Sequence, residues 1–366
     1  MRRLAVVIHS LNGGGAERNA AEMANWWSSH GTQVTLITLD GAAQDRYRLH
    51  PQVDRVALDL MSESQSRWQG LRENLRRSRQ LRQAIEDASV DAVISLTDKM
   101  NVLTLFACRG LEVPIVISEQ TNPGTHEIGR LWNWLRRRLY PRAHAVVTLT
   151  ETARVFCSAF VPQEKLHVIG NCVWSPAELA PESTILDRPQ QILAVGRLAE
   201  EKGYDMLLHA FDMIADQHPD WQLAIAGDGP LRAELETWIQ RSGHPERIQL
   251  LGWVDNIAEQ YRNAQILTLS SRYEGFPSVV LEAMSYALPV VSFDCETGPA
   301  EIIRHDVDGL LIPPNDVAAF AAALQSLLAD RAQRLRLSTA AVSVNERFGV
   351  ENHFSAWDKV LEQAVG

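Results

Sequence analysis

The sequence predicts an α/β protein made of two Rossmann-like domains, each with a parallel sheet. Short apolar runs rich in β-branched residues alternate with longer helical stretches along the chain. This alternation stops between residues 172 and 191, in a proline-containing segment without clear periodicity, and then begins again. A length of 366 residues is sufficient for two full cores. We therefore expect domains over residues 1–175 and 191–345, joined by a linker over 176–190.

The composition is that of an ordinary globular protein, with 46% hydrophobic and 22% charged residues. The four cysteines lie far apart and form no CxxC pair, which argues against a zinc site and against a disulfide scaffold. The run from Leu4 to Ile8 stops at His9 without a cleavage site, so a first strand is expected there instead of a signal peptide. No apolar run is long enough to span a membrane. We expect a cytoplasmic protein, soluble or peripheral.

The net charge of −10 is unevenly spread, with a nearly neutral first half and a strongly acidic second half. The first half has two arginine-rich segments, at residues 67–82 and 130–142, and both contain tryptophan. Aromatic residues beside arginines are typical of an anionic membrane surface or of a site for a diphosphate-bearing lipid. The alternative is a solvated helix face with the tryptophans in the core. Nucleic acid is not an expected partner, because the chain is acidic and has no such motif.

In the first half, strands are predicted at residues 4–8, 34–38, 92–96, 115–118 and 145–149. Gly13, Gly14 and Gly15 follow the first strand, where glycines let the backbone approach a ligand closely. A dinucleotide fingerprint needs a further glycine at the position of Arg18, so a nicotinamide-dependent dehydrogenase is not predicted. Polar clusters at 97–99 and 118–122 end two other strands and indicate either a binding cleft or plain connections.

In the second half, strands are predicted at residues 191–195, 222–226, 248–251, 266–269 and 289–292. Three of them end in glycine-containing turns at residues 196, 227 and 252. Arg197 and Lys202 lie five apart around the first of these turns, so both could reach one diphosphate. These residue types at the carboxyl edge of a parallel sheet favour an anion site.

The stretch from Ser270 to Ala287 carries the most chemistry. A helix with proline at its first position is predicted from Pro277, so the amides of Ser278, Val279 and Val280 would face an anion such as a diphosphate. Glu274 and Glu282 frame this helix start and could accept hydrogen bonds from sugar hydroxyls. The alternative is a surface loop followed by an ordinary acidic helix residue.

Four motifs together resemble the retaining glycosyltransferases of family 4, which have the GT-B fold. They are Glu274 and Glu282 within EGFPSVVLEAM, GRLxxxKG at residues 196–203, GDGP at 227–230, and GPAEII at 298–303. The resemblance covers nearly the whole chain and implies two Rossmann-like domains facing an interdomain cleft. It also implies that residues 346–366 form a helix that crosses back to the N-terminal domain, with Trp357 as its apolar anchor. GGGAER near the start and the SEQTNP loop are similar to the branch that builds bacterial surface or lipid-linked oligosaccharides.

The resemblance also implies roles for individual residues. Arg197 and Lys202 would bind the donor diphosphate, Glu274 the donor sugar and Glu282 the ribose. Neither glutamate is expected to attack the sugar, because members of the family are thought to react on the front face. No metal and no cofactor are expected, and the chain has no DxD-like motif near the site. The implied donor-binding set also includes Gly13, Gly14, Gly15, Gly227, Phe276, Pro277, Ser278 and Val279.

On the acceptor side, many relatives have a histidine where this chain has Ser118 and Glu119, so Glu119 is assigned to the acceptor. A polyprenyl-diphosphate acceptor would contact five basic residues: Arg72, Arg76, Arg77, Arg79 and Lys99. The expected activity is retaining transfer of a hexose or N-acetylhexosamine from a nucleotide-sugar, a UDP-sugar, to a lipid-linked oligosaccharide or another surface-glycan acceptor. The expected location is the inner face of the plasma membrane. Alternatives are a nucleotide-sugar epimerase or hydrolase, and a binding protein without turnover.

Overall fold

The computed structural model describes residues 2–61, 67–124, 126, 128–174 and 182–366, with the side chains of 67–71 and 182–184 outside that description. The chain divides into two compact units. The first comprises Met1–Asn171 together with Glu351–Gly366, and the second comprises Cys172–Val350. Each unit is built around one parallel sheet.

The sheet of the first unit has seven strands in the order β3-β2-β1-β4-β5-β6-β7, all parallel. The chain order therefore reverses between β1 and β4, which is where open α/β sheets place their ligands. The strands are β1 Arg3–Ile8, β2 Gln33–Thr38, β3 Val53–Ala57, β4 Ala92–Leu96, β5 Ile115–Glu119, β6 Ala145–Thr148 and β7 Leu166–Val168.

Helices cover this sheet, and their apolar faces form its core with the strands. The C-terminal helix belongs to the same unit: Trp357 is buried there, with its ring edge-on to Trp27 at 6.1 Å. His353 Nδ1 donates to the carbonyl oxygen of Gly170 at 2.9 Å. The helices are α1 Gly15–Ser29, α2 Arg67–Ala88, α3 Asp98–Ala107, α4 Arg130–Leu139 and α5 Glu151–Ser158, with α14 Val350–Val365 at the end of the chain.

The sheet of the second unit has six parallel strands in the order β10-β9-β8-β11-β12-β13, with the reversal between β8 and β11. The strands are β8 Gln191–Val195, β9 Gln222–Ala226, β10 Ile248–Gly252, β11 Ile266–Leu269, β12 Val290–Phe293 and β13 Gly309–Ile312. The helices are α6 Tyr204–Ala215, α7 Arg232–Arg241, α8 Ile257–Asn263, α9 Ser278–Ser285, α10 Pro299–Ile302, α11 Val317–Ala329, α12 Arg331–Ala341 and α13 Val344–Arg347.

Three strands were not predicted: β3, β7 and β13, which are all at the edges of their sheets. Residues of β3 and β7 are only partly buried, so these strands lack the continuous apolar run that marks a central parallel strand. β13 has only four residues and begins with a glycine. The central strands were predicted because both of their faces are covered.

The predicted linker at 176–190 is only partly described, because residues 176–181 lie outside the described ranges. Its later part packs into the second unit, where Ile185 is buried. The Arg188 guanidinium donates to the carbonyl oxygens of Tyr261, Ala264 and Tyr286 at 3.1–3.3 Å. This part of the prediction is therefore corrected: residues 185–188 are a folded portion of the second unit. None of the described helices is long and apolar enough to cross a membrane.

Candidate active site

Two neighbouring strands of the second unit, β8 and β11, bring the predicted donor-site residues together. Their carboxyl ends continue into the segments 196–203 and 270–277, which thus meet at the reversal point of the sheet. Glycine is needed nearby at Gly227, which has φ 144° and whose added Cβ would overlap the carbonyl oxygen of Gly196. The role of Gly227 in the fold is therefore this close backbone approach.

The centre of this edge is an ion pair between Lys202 Nζ and Glu274 Oε1 at 2.7 Å. The side chains are 21% and 9% exposed, so the pair is largely removed from water while remaining open on one side. Ser271 Oγ donates to the same carboxylate oxygen at 2.6 Å, and Thr297 Oγ1 donates to the backbone carbonyl of Glu274. These contacts fix the carboxylate and the ammonium before any ligand arrives, as electrostatic catalysis requires.

The loop that carries Lys202 is held in place by residues that follow β11. Ser270 Oγ donates to the carbonyl oxygen of Lys202 at 2.8 Å. Arg272 binds both carboxylate oxygens of Asp205, at 2.9 and 2.7 Å, and donates to the carbonyl of Glu200. Sequence reasoning missed Ser271, Arg272 and Thr297 because serine, arginine and threonine in a loop carry no motif of their own.

Arg197 lies at the same edge but in a more open position. Its side chain is 68% exposed, and its guanidinium donates to Glu201 Oε1 at 2.6 Å. Burial alone would raise the pKa of the Glu201 carboxyl, yet this hydrogen bond and the charges of Arg197 and Lys202 lower it. Both cations therefore act on one carboxylate, which supports their predicted grouping around an anion.

Helix α9 carries the second glutamate. Glu282 is buried, and its Oε2 accepts a hydrogen bond from the hydroxyl of Tyr261 at 3.0 Å. Tyr261, in α8, was not singled out from the sequence, because a lone tyrosine in a helix is typical of a core residue.

The start of α9 differs from the prediction in two ways. Pro277 is the residue before the helix, which begins at Ser278. The amide of Val280 donates to the carbonyl of Pro277 at 2.9 Å, so it is engaged within the chain. The amide of Val280 is therefore removed from the predicted anion site, whereas the contacts of Ser278 and Val279 with an anion stay a prediction. Phe276 is buried with its ring 6.0 Å from that of Phe348, an arrangement that favours a packing role over the predicted ligand contact.

In the first unit, the glycine loop lies at the end of β1, as predicted. Helix α1 begins at Gly15, and the Tyr47 hydroxyl bridges Gly14, accepting from its amide at 3.0 Å and donating to its carbonyl at 2.9 Å. Gly14 has φ 153°, and a Cβ there would overlap the carboxylate of Glu17. The carboxylate of Glu17 also lies 3.1 Å from His9 Nε2. An acidic side chain thus occupies the approach to this helix start, and an incoming diphosphate would have to displace it.

Glu119 is not placed as the sequence predicted. Its side chain is 0% exposed, and its carboxylate accepts from the hydroxyls of Tyr140 at 2.8 Å and Thr121 at 3.1 Å. Arg136, 1% exposed, lies 3.7 Å from the same carboxylate. Burial raises the pKa of Glu119 to about 7, although the charge of Arg136 opposes the rise. The prediction of a direct acceptor contact is therefore corrected: Glu119 belongs to a buried charge cluster.

An exposed histidine, His126, lies beside this cluster. Its Nε2 lies 3.3 Å from Asp98 Oδ2, and the same Asp98 oxygen lies 3.5 Å from Arg136. Asp98 is buried at the start of α3, next to the exposed Lys99. His126 could not be predicted as a neighbour of Asp98, because it follows β5 by seven residues and matches no motif.

Helix α2 presents three of the four predicted arginines to solvent: Arg72, Arg76 and Arg79 are exposed. Their spacing of four and three residues places them on one face of the helix. Arg77 points elsewhere, and it donates to the carbonyl of Leu60 at 3.1 Å and to Asn74 Oδ1 at 3.2 Å. Its predicted acceptor role is therefore corrected to a structural one.

Within the described ranges, no group of three or more His, Cys, Asp or Glu side chains is arranged to hold a metal ion. Transfer without a metal remains a prediction.

Two family models match the chain, one for each half. A model described as "Glycosyl transferase 4-like domain" matches residues 14–172, and one described as "Glycosyl transferases group 1" matches residues 177–344. The Campylobacter jejuni enzyme "GalNAc-alpha-(1->4)-GalNAc-alpha-(1->3)-diNAcBac-PP-undecaprenol alpha-1,4-N-acetyl-D-galactosaminyltransferase" is 28% identical over 364 residues, or 99% of both chains. The amylovoran biosynthesis glycosyltransferase AmsD of Erwinia amylovora is also 28% identical, over 99% of this chain and 100% of its own.

Solved structures show the same fold. A TarM mutant from S. aureus, solved with Fondaparinux, alpha-GlcNAc-glycerol and UDP, has a TM-score of 0.82 at 12% identity, covering 99% of this chain and 100% of its own. HepE from Anabaena, with UDP and glucose, has a TM-score of 0.81 at 18% identity and the same coverage. Taken with the two family models and the full-length relatives, this likeness shows that the chain belongs to the glycosyltransferases of the GT-B fold and resembles family 4.

Proposed function

We propose that this glycosyltransferase moves a hexose or an N-acetylhexosamine from a UDP-sugar to a lipid-linked oligosaccharide in bacterial surface-glycan synthesis, with retention at the anomeric carbon. The observation that carries the proposal is the Lys202–Glu274 pair, fixed at the reversal point of the second sheet. UDP is named with both solved neighbours described above, and an undecaprenol-PP-linked glycan is named for the C. jejuni relative.

The donor diphosphate is the group that the cations of this edge suit. Lys202 and Arg197 supply two positive charges around Glu201, and the start of α9 adds amide donors at Ser278 and Val279. As the bond from C1 to the diphosphate oxygen breaks, negative charge grows on that oxygen. Cations already held in place stabilise this charge without reorganising, and a protein that works in this way needs no metal at the step.

The two glutamates bind the sugar and the ribose of the donor. Glu274, fixed by Ser271 and Lys202, accepts hydrogen bonds from the hydroxyls of the donor sugar. Glu282, oriented by Tyr261, accepts from the ribose. Neither is assigned as a nucleophile. The acceptor oxygen forms its bond to C1 on the face from which the diphosphate leaves, and the acceptor proton passes to the departing phosphate oxygen.

On the acceptor side, the exposed face of α2 suits the diphosphate of a polyprenyl carrier. Arg72, Arg76 and Arg79 share this face, and each can bind a phosphate oxygen. Lys99, exposed at the start of α3, is a further candidate. With Arg77 engaged within the unit, three arginines are assigned to this contact instead of four.

The test is to incubate the protein with a panel of UDP- and GDP-sugars, with and without an undecaprenyl-diphosphate-linked oligosaccharide. The proposal predicts acceptor-dependent release of UDP, a product whose new linkage keeps the anomeric configuration of the donor by NMR, and no effect of EDTA. Rapid epimer formation or hydrolysis without acceptor would indicate the alternative chemistry. Tight donor binding without any turnover would indicate a binding protein.

A further inference from the structure

The segment that follows β5 brings a histidine to the carboxyl edge of the first sheet. The side chain of His126 is 43% exposed, and its Nε2 lies 3.3 Å from Asp98 Oδ2. Its amide donates to the carbonyl oxygen of Asn122 at 2.9 Å, which fixes the turn before the ring. Asp98 follows β4, which pairs with β5 on one side and with β1 on the other. The imidazole therefore lies beside the reversal point of this sheet, where open α/β sheets bind ligands.

The carboxylate of Asp98 is fixed from within the fold. Its Oδ1 accepts from the amide of Lys99 at 2.5 Å, and its Oδ2 lies 3.5 Å from Arg136, which is 1% exposed. The Asp98 side chain is itself only 9% exposed. No described residue donates a hydrogen bond to Oδ2, although this oxygen lies between the guanidinium and the imidazole of His126. A small rotation of the exposed ring is sufficient for Nε2 to donate to it.

Stability of the fold does not explain why this pair lies at the edge of the sheet. An ion pair whose histidine is nearly half exposed contributes little to stability. The nearby Glu119 shows that the buried charges are costly: burial, opposed by Arg136 and reinforced by the charge of Asp98, raises the pKa of Glu119 to about 7. A buried carboxylate that faces an exposed imidazole in such a cluster is typical of a ligand site.

The charges of this edge favour a neutral ligand that carries hydroxyl groups. The carboxylates of Asp98 and Glu119 lie here, and that of Glu17 lies 3.1 Å from His9, the residue directly after the neighbouring strand β1. A surface with these carboxylates disfavours a phosphate at the imidazole. With Nε2 directed to Asp98, the ring keeps the lone pair of Nδ1 for a hydrogen-bond donor. A sugar hydroxyl is such a donor, whereas an ionised phosphate oxygen is not.

We propose that His126, oriented by Asp98, binds a hydroxyl group of the terminal sugar of the acceptor. The hydroxyl donates to Nδ1, while Nε2 donates to Asp98 Oδ2. It is not the hydroxyl that reacts, because the proton of the reacting hydroxyl passes to the departing phosphate oxygen. His126 thus contacts the substrate, and Asp98 is a positioning residue. The inference rests on the proposed function and deepens it, because it assigns the sugar end of the acceptor to the first sheet.

The first experiment measures sugar binding without any reaction. Saturation-transfer NMR is recorded on the full-length protein with UDP and with the methyl glycosides of glucose, galactose, mannose, N-acetylglucosamine and N-acetylgalactosamine. Wild type is expected to bind at least one of these glycosides. His126→Ala is expected to weaken that binding about fivefold to tenfold, through the loss of one hydrogen bond. His126→Asn is expected to restore part of it, because the amide oxygen can accept in place of Nδ1.

Matched variants separate this site from others. His244→Ala removes a histidine that is also paired with an aspartate, Asp216, at 3.0 Å, but that precedes β10 in the second unit. Glu274→Gln changes the proposed ligand of the donor sugar. Both variants are expected to bind the selected glycoside as wild type does. Asp98→Asn is expected to weaken the binding less than His126→Ala, because the ring remains but is no longer held by a charge. Far-UV circular dichroism and thermal unfolding confirm that each variant is folded.

The second experiment measures transfer to the undecaprenyl-diphosphate-linked oligosaccharide. His126→Ala should raise the KM for this acceptor about fivefold to tenfold. The KM for the UDP-sugar and the Kd of UDP should stay as in wild type. A residue with only a structural role would instead change the thermal stability and both KM values together.

Three outcomes would overturn the inference. They are a wild-type protein that binds none of the glycosides, a His126→Ala protein that binds them as wild type does, and a His126→Ala protein in which the KM of the donor rises instead of that of the acceptor. If a glycoside binds through His126 while no donor supports transfer, the sugar site stands and the proposed function falls. If transfer occurs and His126→Ala keeps the wild-type KM for the acceptor, the proposed function stands and the inference falls.

Discussion

The reversal points of the two sheets have the same topology but different chemistry. In the second unit, the ends of β8 and β11 bring Lys202 and Glu274 into direct contact at a partly open edge. In the first unit, the corresponding ends of β1 and β4 lead to Gly14, covered by the Glu17 carboxylate, and to Asp98, which turns towards the buried Arg136. One edge leaves its ion pair partly open to solvent, whereas the other directs its carboxylates to partners within the fold.

This difference shows why fold alone does not locate a site. Both edges are placed where α/β proteins bind ligands, yet among the residues that the structure describes it is the second edge that pairs a lysine with a carboxylate, at 2.7 Å. The glycines differ in the same way. Gly227 is required by the backbone of its own unit, whereas a Cβ at Gly15 would meet nothing within 4 Å.

The largest expected effect comes from exchanging these two glycines for alanine. Gly227→Ala should destabilise the second unit by about 3 kcal/mol or more, because its Cβ would overlap a backbone carbonyl and its φ is positive. Gly15→Ala should stabilise the first unit by about 0.5–1 kcal/mol, because it starts a helix in open space. Urea unfolding checks both. A Gly227→Ala protein as stable as wild type would contradict the predicted overlap with the carbonyl of Gly196. Weaker UDP-sugar binding by Gly15→Ala would favour a ligand-binding role for the loop at residues 13–15.

The next effect concerns the buried charges of the first unit. Burial raises the pKa of Glu119 from about 4.5 to about 7, so the folded state holds this proton more tightly than the unfolded state. The resulting stability is full below about pH 4.5 and is lost as the pH rises through 7, by at most about 3 kcal/mol. The carboxyl faces Arg136, Asp98, Tyr140, Thr121 and Cys157.

Glu119→Gln should remove this part of the pH dependence. The difference in unfolding free energy between wild type and variant, measured by urea from pH 5 to pH 8, is expected to change steadily in favour of the variant as the pH rises. The pKa of His353, lowered to about 4 by burial, contributes a slope of the opposite sign below pH 6.5. That slope is common to both proteins and cancels in the difference. A constant difference across this range would contradict the assignment.

In the second unit, removing the hydroxyl of Tyr261 tests how the carboxylate of Glu282, the proposed ribose ligand, is oriented. Tyr261→Phe deletes the donor to Glu282 Oε2, and it should weaken UDP binding about fivefold to tenfold, as expected for one hydrogen bond to a charged group. Binding of 2′,3′-dideoxy-UDP should hardly change, because this analogue lacks the hydroxyls that Glu282 is proposed to hold. Calorimetry measures both affinities. Equal losses for the two nucleotides would mean that Tyr261 acts through general packing.

The smallest effect is at the end of α9. Ala287 follows this helix with φ 61°, a left-handed conformation that costs a residue with a Cβ about 1 kcal/mol. Ala287→Gly should therefore raise the unfolding free energy by up to about 1 kcal/mol. Ala322→Gly, at an exposed position within α11, is the matched control and should lower it by about the same amount. If both variants were destabilised alike, the strain at Ala287 would not be real.

Much of the second unit could be predicted from the sequence, because its charged residues and glycines belong to local motifs. Glycine turns after apolar strands predict the edge, and the charged residues that follow β8 and β11, Lys202 and Glu274 among them, predict a donor site there. Their partners Ser271, Thr297 and Tyr261 could not be predicted, because each reaches the site through tertiary packing from a position without a pattern.

The first unit was harder to predict for a physical reason. Glu119 ends a strand, as a site residue would, but whether its carboxylate faces solvent or a buried arginine depends on how α4 packs. Arg77 and Arg76 are neighbours in the sequence and point to different surroundings, so a run of arginines does not tell which of them are available. Edge strands such as β3 were not predicted, because they lack a continuous apolar run.

The central claim is that the charged edge of the second unit, not its counterpart in the first, performs the transfer. Steady-state transfer from a UDP-sugar by Lys202→Ala tests this most directly, with Lys99→Ala as the comparison from the edge of the first unit. The account predicts a folded Lys202→Ala protein whose kcat falls by about a hundredfold or more, as for removal of a charge-stabilising group. Lys99→Ala should lose less than about tenfold, mainly in acceptor KM. Unchanged transfer by Lys202→Ala, or a larger loss with Lys99→Ala, would contradict the account.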